Sequence, residues 1–459
     1  MTQSGYVVAG FETLATIINN FIKNTKNRYE SNFSREDISD FLLKTCSGFL
    51  HSYGQNFAMR RSYSKFNKSE ATLFKNCREF GLFDGSLLIT DSGGYQVSIG
   101  LAKDTTKLLL RMFYDFLEEH HEVLDRAFIL DLIPGPNCVA FDSFDEVEKM
   151  NIESYTKAAG LSPDVIKKII YIHHFRTPRL WEIFLKLLRE YDLFSKFNHF
   201  GVGGMVANLA GDLAIPCIVY VLPLVILLNE CKRSGLNALD FHILGGATFR
   251  DVFFYELFKI HIRNKHNIEV NITYDSSGLY KGLMVGRYIH VLDNNIIHKV
   301  DIKSTNLDKR FKGGTKVVDI YIQEMNQLFR KFNFKEVGKD GIYSSETGTF
   351  FEEIKVYTML HMLNQYSEIQ SICKESAEKV YIFYENGFLE EFTNSVIDIT
   401  KNLNGGKITK KQRIKSYSIA KSLDILTNLD EEYCEYLVSK FLSKDEFSKL
   451  EDNGRVLTI

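Results

Sequence analysis

The chain has 459 residues, of which 45% are hydrophobic and 25% charged, with a formal net charge of −2. That composition excludes a disordered chain and a uniformly basic nucleic-acid coat, and it leaves room for one large domain of about 250 residues with appendages. Seven cysteines at wide spacings, none in a C-x-x-C pair, exclude a zinc ribbon and a disulfide framework and fit a reducing, cytoplasmic compartment.

The opening MTQSGYVVAGFETL has no basic region before its apolar run and does not read as a signal peptide. From residue 81 onward, short β-branched or aromatic runs end in polar or turn residues. LLIT runs into Asp91, FIL into Asp131, IIYI into His173-His174, FGV into Gly203-Gly204, FHIL into Gly245-Gly246 and VNITY into Asp275. Such runs are those of strands buried on both faces. Between them LWEIFLKLLREY, LVILLNECKRSG and FRDVFFYELFKIHI carry helical periodicity. AIPCIVYVLPLVILL, from Ala214 to Leu228, is short for a membrane span and holds two internal prolines, so a buried helix is expected there.

The strand ends recur every 30 to 42 residues. One strand, one helix and two loops fill that length, and eight such units close a barrel of about 250 residues. The expected fold is α/β, a (β/α)8 TIM barrel, with a doubly wound open sheet as the alternative that gives the same alternation. Residues 81–304 are assigned to the barrel and residues 1–80 to a helical segment that packs on it or opens it. Residues 305–459 form a mainly helical, partly basic extension. Within the extension, 356–392 reads as helical, 401–417 carries basic residues and no acid, and DEEYCEYLVSKFL reads as a final helix.

In a barrel, polar residues at strand exits gather on one mouth. Asp91 and Asp275 would then face each other, and a carboxylate pair suits chemistry at an anomeric carbon, one as nucleophile and the other as proton shuttle. The bland alternative is that each acid caps the following helix. Gly93-Gly94 and Gly203-Gly204 allow backbone N–H groups to reach a planar ligand, or else make ordinary tight turns.

TDSGGYQVSIG resembles the D-S-G-G-[FY]-Q motif of the queuine/archaeosine tRNA-guanine transglycosylases, TIM-barrel enzymes that exchange a guanine base for a 7-deazaguanine. ILDLIPGP, FGVGGMV, FHILGGATFRDVF and TYDSSGLYKG resemble further segments of that family, in the same order along the chain. The resemblance covers roughly residues 85–290 and implies Asp275 as nucleophile and Asp91 as general acid/base. It implies Asp131 on the guanine edge, Gly203 and Gly204 amides on the base carbonyl, and Ser92, Gly93, Gly94, Tyr95 and Gln96 around the base.

Two departures stand out. The zinc-ligand run that follows the nucleophile in the tRNA enzymes is missing, because no cysteine lies between Asp275 and Cys373; no metal and no other cofactor is expected. Where many relatives carry Gln after the fifth strand this chain reads IHHFR, which makes His173 or His174 the replacement.

These departures favour the branch of the family that modifies DNA, in phages and bacterial genomic islands, over the tRNA branch. Expected partners are DNA (alternatively tRNA) and a free 7-deazaguanine base, with an accessory protein as a further candidate and no membrane. Candidate phosphate contacts are Lys281 and Arg287, the run Lys309-Arg310-Lys312, and Lys407, Lys410, Lys411, Arg413 and Lys415. Two other classes stay open: a non-catalytic nucleic-acid-binding subunit, and a barrel glycosidase. Against the second, the single tryptophan, Trp181, falls on an expected helix.

Overall fold

A buried parallel strand needs both neighbours and both faces covered, and eight short apolar strands satisfy this by closing on themselves. The computed structural model describes residues 5–9, 35–53, 87–93, 106–132, 144–174, 178–203, 218–276, 288–293, 296–301, 323, 327 and 352–441. Its strands are β1 (Gly5–Ala9), β2 (Gly48–Ser52), β3 (Leu87–Asp91), β4 (Arg126–Phe128), β5 (Ile169–His174), β6 (His199–Gly203), β7 (Ala238–Ile243) and β8 (Glu269–Ser276). Each is parallel to the next, and β1 pairs with β8, Gly5 opposite Thr273, to close the barrel.

The helices α1 (Arg35–Thr45), α2 (Thr106–His120), α3 (Phe144–Ala159), α4 (Pro178–Glu190), α5 (Ile218–Arg233) and α6 (Phe249–His266) alternate with the strands. The fold is a (β/α)8 TIM barrel. From Ile218 onward the apolar stretch lies in α5, where Leu224 to Leu228 are buried. Among the described residues no helix is long and apolar enough to cross a membrane.

The barrel begins earlier than the sequence suggested. Its first two strands, GYVVA and GFLHS, lie within the segment 1–80 assigned above to a helical element, and only α1 of that segment is described as a helix besides. GYVVA meets no acid or glycine pair at its exit, and GFLHS ends in polar residues, so neither carries the signal that marked the later strands.

After β8 come an antiparallel hairpin, β9 (Tyr288–Asp293) and β10 (Ile296–Asp301), and the helices α7 (Glu352–Glu385), α8 (Leu389–Asn402), α9 (Lys410–Asn428) and α10 (Glu431–Phe441). The hairpin was missed, although YIHVL and IIHKV alternate about Asn294-Asn295, a turn-prone pair. The helical reading of 356–392 is interrupted at Gly387. Its φ of +79° lets Phe388 N–H reach the Phe383 carbonyl at 2.8 Å and so end α7 in a Schellman turn.

α7 touches both α6 and α1, and so takes the place of the eighth outer helix. Its buried stripe runs Tyr366, Ile369, Cys373, Ala377, Val380, at helical spacing. Tyr366 stacks on Tyr6 with ring centroids 4.3 Å apart and donates to the Ala247 carbonyl. α9 and α10 pack outside α4, α5 and α6, where Glu431 pairs with Arg189 at 2.5 Å and with Arg233 at 3.2 Å.

Candidate active site

Successive strand residues point to opposite faces, so one parity on each strand fills the barrel. Arg126, His199, Asp240, His242, Asn271 and Thr273 line the interior cavity, and the next inward positions at the C-terminal end are His174, Gly203 and Asp275. Asp91 ends β3 beside Ser52 of β2. Asp131 lies three residues past β4, and two outer helices fix it there. Tyr114 of α2 accepts from Leu130 N–H at 3.2 Å, while Asn151 of α3 both accepts from Leu132 N–H at 2.8 Å and donates to its carbonyl at 3.2 Å.

Asp91 accepts from Ser52 Oγ at 3.0 Å and from Gly93 N–H at 2.5 Å. Gly93 has φ +87°, which turns the chain back so that its amide meets the carboxylate two residues earlier. Burial pushes the Asp91 carboxyl up to about 6; Gly93 N–H and Ser52 oppose the rise, and the Asp131 and Asp275 charges add to it. Asp131 and Asp275 are therefore both close enough for their charges to reach Asp91.

Asp275 is buried, and its Oδ1 accepts from Gly245 N–H at 2.8 Å. His242 Nε2 stands 3.4 Å from the same oxygen, and His242 Nδ1 lies 2.8 Å from Thr273 Oγ1. Asp131 Oδ2 makes a short contact with His174 Nε2.

The two histidines of IHHFR separate by strand parity. His174 faces the mouth, whereas His173 faces outward against Phe184 of α4, ring centroids 4.7 Å apart, and burial pulls it down to about 3. His173 thus has a core role and no place at the mouth. His174 also explains the bare backbone at Gly203, where a Cβ would lie 2.4 Å from His174 Cε1. The sequence assigned that bareness to a bound base; in the structure the imidazole occupies it.

Of the remaining candidates, Ser92 is fully buried behind the Asp91 turn. Lys410 and Arg413 are exposed in the first turn of α9, on the extension. Gly94, Tyr95, Gln96, Gly204, Lys281, Arg287, Lys309, Arg310 and Lys312 lie outside the described residues, as do the side chains of Lys411 and Lys415. Sequence reasoning missed Ser52, His242 and Thr273. Each is a polar residue at an inward position on a barrel strand, a signal readable only once strand parity is known.

Among the described residues no group of three or more His, Cys, Asp or Glu is placed to hold a metal ion. Cys46, Cys231, Cys373 and Cys434 are buried free thiols whose burial pushes them up, away from thiolate reactivity. No protein-family model, no curated protein and no solved structure matches this chain.

Proposed function

We propose that the chain is a transglycosylase that exchanges a guanine in DNA for a 7-deazaguanine through a covalent aspartyl-glycosyl intermediate. The observation that carries this reading is the convergence of Asp91, Asp131 and Asp275 on one barrel mouth, each in a different environment. Environments that differ in this way let like groups divide acid, base and nucleophile roles.

The guanine leaves the base stack and enters the mouth, where pocket contacts replace pairing and stacking. Asp131 accepts from its N1–H and 2-amino group. His174, held to Asp131 through Nε2, fixes the orientation of that carboxylate toward the base edge. Asp275 attacks C1′ and forms the ester, and the departing guanine takes a proton from Asp91. The incoming deazaguanine gives its N9 proton back to Asp91 and displaces Asp275. A group near 6 can serve in both directions at neutral pH.

DNA is preferred to tRNA as the polymer because the sequence lacks the zinc-ligand run of the tRNA enzymes and ends in a third unlike theirs. Lys407, Lys410 and Arg413, exposed around the start of α9, are candidate phosphate contacts.

The test is base exchange by the purified protein, with tritiated guanine or 7-cyano-7-deazaguanine offered to duplex DNA, single-stranded DNA and unmodified tRNA in parallel. Incorporation into DNA is expected, with loss of at least about a thousandfold in Asp275→Asn. Incorporation into tRNA alone would transfer the assignment to the tRNA branch. No incorporation into any polymer, with Asp275→Asn indistinguishable from the parent, would sink the catalytic reading.

A further inference from the structure

We propose that His242 is a positioning residue: its Nε2–H holds Oδ1 of Asp275, so that Oδ2 is the oxygen that attacks C1′. This rests on the transglycosylase reading for its chemistry but on the geometry alone for the contact. His242 lies on β7 directly opposite Thr273 of β8, two residues before Asp275 on the same inward face. Its side chain is 1% exposed, so its ring nitrogens have no water to turn to. Phe128 packs against the ring, centroids 4.7 Å apart, and fixes its plane.

Nδ1 meets Thr273 Oγ1 at 2.8 Å, while Nε2 has no hydrogen-bond partner among the described residues and stands 3.4 Å from Asp275 Oδ1. A buried imidazole nitrogen left unused is costly. The two tautomers differ sharply here. If Nδ1 carried the proton, the Nε2 lone pair would point at a carboxylate oxygen, which is repulsive. If Thr273 donates to Nδ1, the proton sits on Nε2 and points at Asp275. A small rotation of the carboxylate then closes the contact to hydrogen-bond length.

Oδ1 is thereby held from two sides, by Gly245 N–H and by His242. In the first half-reaction the Oδ2–C1′ bond forms as C1′–N9 breaks. The electron pair of that bond stays on N9 of guanine, and the Asp91 proton goes to the leaving base. In the second, N9 of the incoming base, its proton taken by Asp91, attacks C1′, and the C1′–Oδ2 pair returns to the Asp275 carboxylate. His242 keeps its proton throughout. In the first half-reaction its contribution is to orient Oδ2 toward C1′; in the second it stabilises the charge that returns to the Asp275 carboxylate as it leaves.

Two substitutions test this in the full-length protein. His242→Phe keeps a ring in the cavity and removes the donor, while His242→Gln restores an amide N–H near the position of Nε2. The expected result is a fall in kcat of about a hundredfold for His242→Phe, with KM for the free base unchanged and melting temperature at or above that of the parent. For His242→Gln the expected kcat lies within about tenfold of the parent. Parent-like kcat in His242→Phe, or equal losses in both variants, would overturn the proposal.

An activity-independent readout is nitrogen NMR of histidine-labelled protein. A neutral ring protonated at Nε2, perturbed by both Asp275→Ala and Thr273→Val, supports the contact; a ring protonated at Nδ1 overturns it. If the parent exchanges no base at all, the transglycosylase reading fails, and the NMR result still decides the His242–Asp275 link.

Discussion

At the N-terminal end of the barrel interior, Asp240 accepts from Asn271 at 2.9 Å and faces His199 Nδ1 at 3.0 Å, with the Arg126 guanidinium close enough to feel its charge. At the C-terminal end, Asp91, Asp131 and Asp275 share one mouth, and their contacts are a serine, two backbone amides and the histidines His174 and His242, with no Lys or Arg among the described residues paired to them. The same barrel thus carries charge at both ends, and balances it at one. A balanced buried cluster needs no ligand to explain it. A cluster of like charges is a standing electrostatic cost, and such costs are tolerated where chemistry or binding uses them.

Three substitutions sharpen that contrast. The largest effect is expected at the balanced end. Asp240→Ala leaves His199 without its carboxylate partner and Arg126 without a compensating charge, and should destabilise the fold by about 3 kcal/mol, read as a lower urea midpoint. The opposite sign is expected at the mouth. The Asp91 carboxyl titrates at about 6 in the folded chain against an ordinary 3.8, so folding disfavours its ionised form. That cost is absent below pH 3.8, grows as pH rises to 6, and is fully present above it. Asp91→Asn should therefore raise stability by about 2 kcal/mol at pH 8 and by nothing at pH 3.5 while abolishing exchange, and melting curves at the two pH values check it. The smallest effect is Asn271→Ala, which removes one hydrogen bond to Asp240 and should cost about 1 kcal/mol. If Asp91→Asn destabilised the protein as Asp240→Ala does, the two ends would be alike and the contrast would be wrong.

How much of this was legible in the sequence follows from what a strand exit reveals. Six strand ends were readable because apolar runs met Asp91, Asp131, His173-His174, Gly203, Gly245 and Asp275. GYVVA and GFLHS were not, since neither runs into an acid or a glycine pair, and the pairing across the barrel seam that holds β1 is invisible in sequence. The acids were legible as types at turns. Their mutual effect was not, because it depends on which side chains share a face: one residue of register decides that His174 enters the mouth and His173 the helix layer. His242 was unreadable for the same reason. A lone histidine inside an apolar run has no sequence signature that separates a core residue from one aimed at a carboxylate.

The barrel seam joins β1 to β8, and the helix that covers it, α7, comes later in the chain than either strand. Without α7 the pairing of β1 with β8 can still close the sheet, but Tyr6 lacks the stacked ring of Tyr366 and the seam lacks its outer helix. An uncovered apolar seam invites association with other chains, and contacts between distant parts of a sequence form slowly. A gene cut after residue 305 would therefore not encode a smaller, self-sufficient catalytic unit lacking its extension. It would encode a barrel whose β1–β8 seam lacks its covering helix, in which solubility and activity fail together.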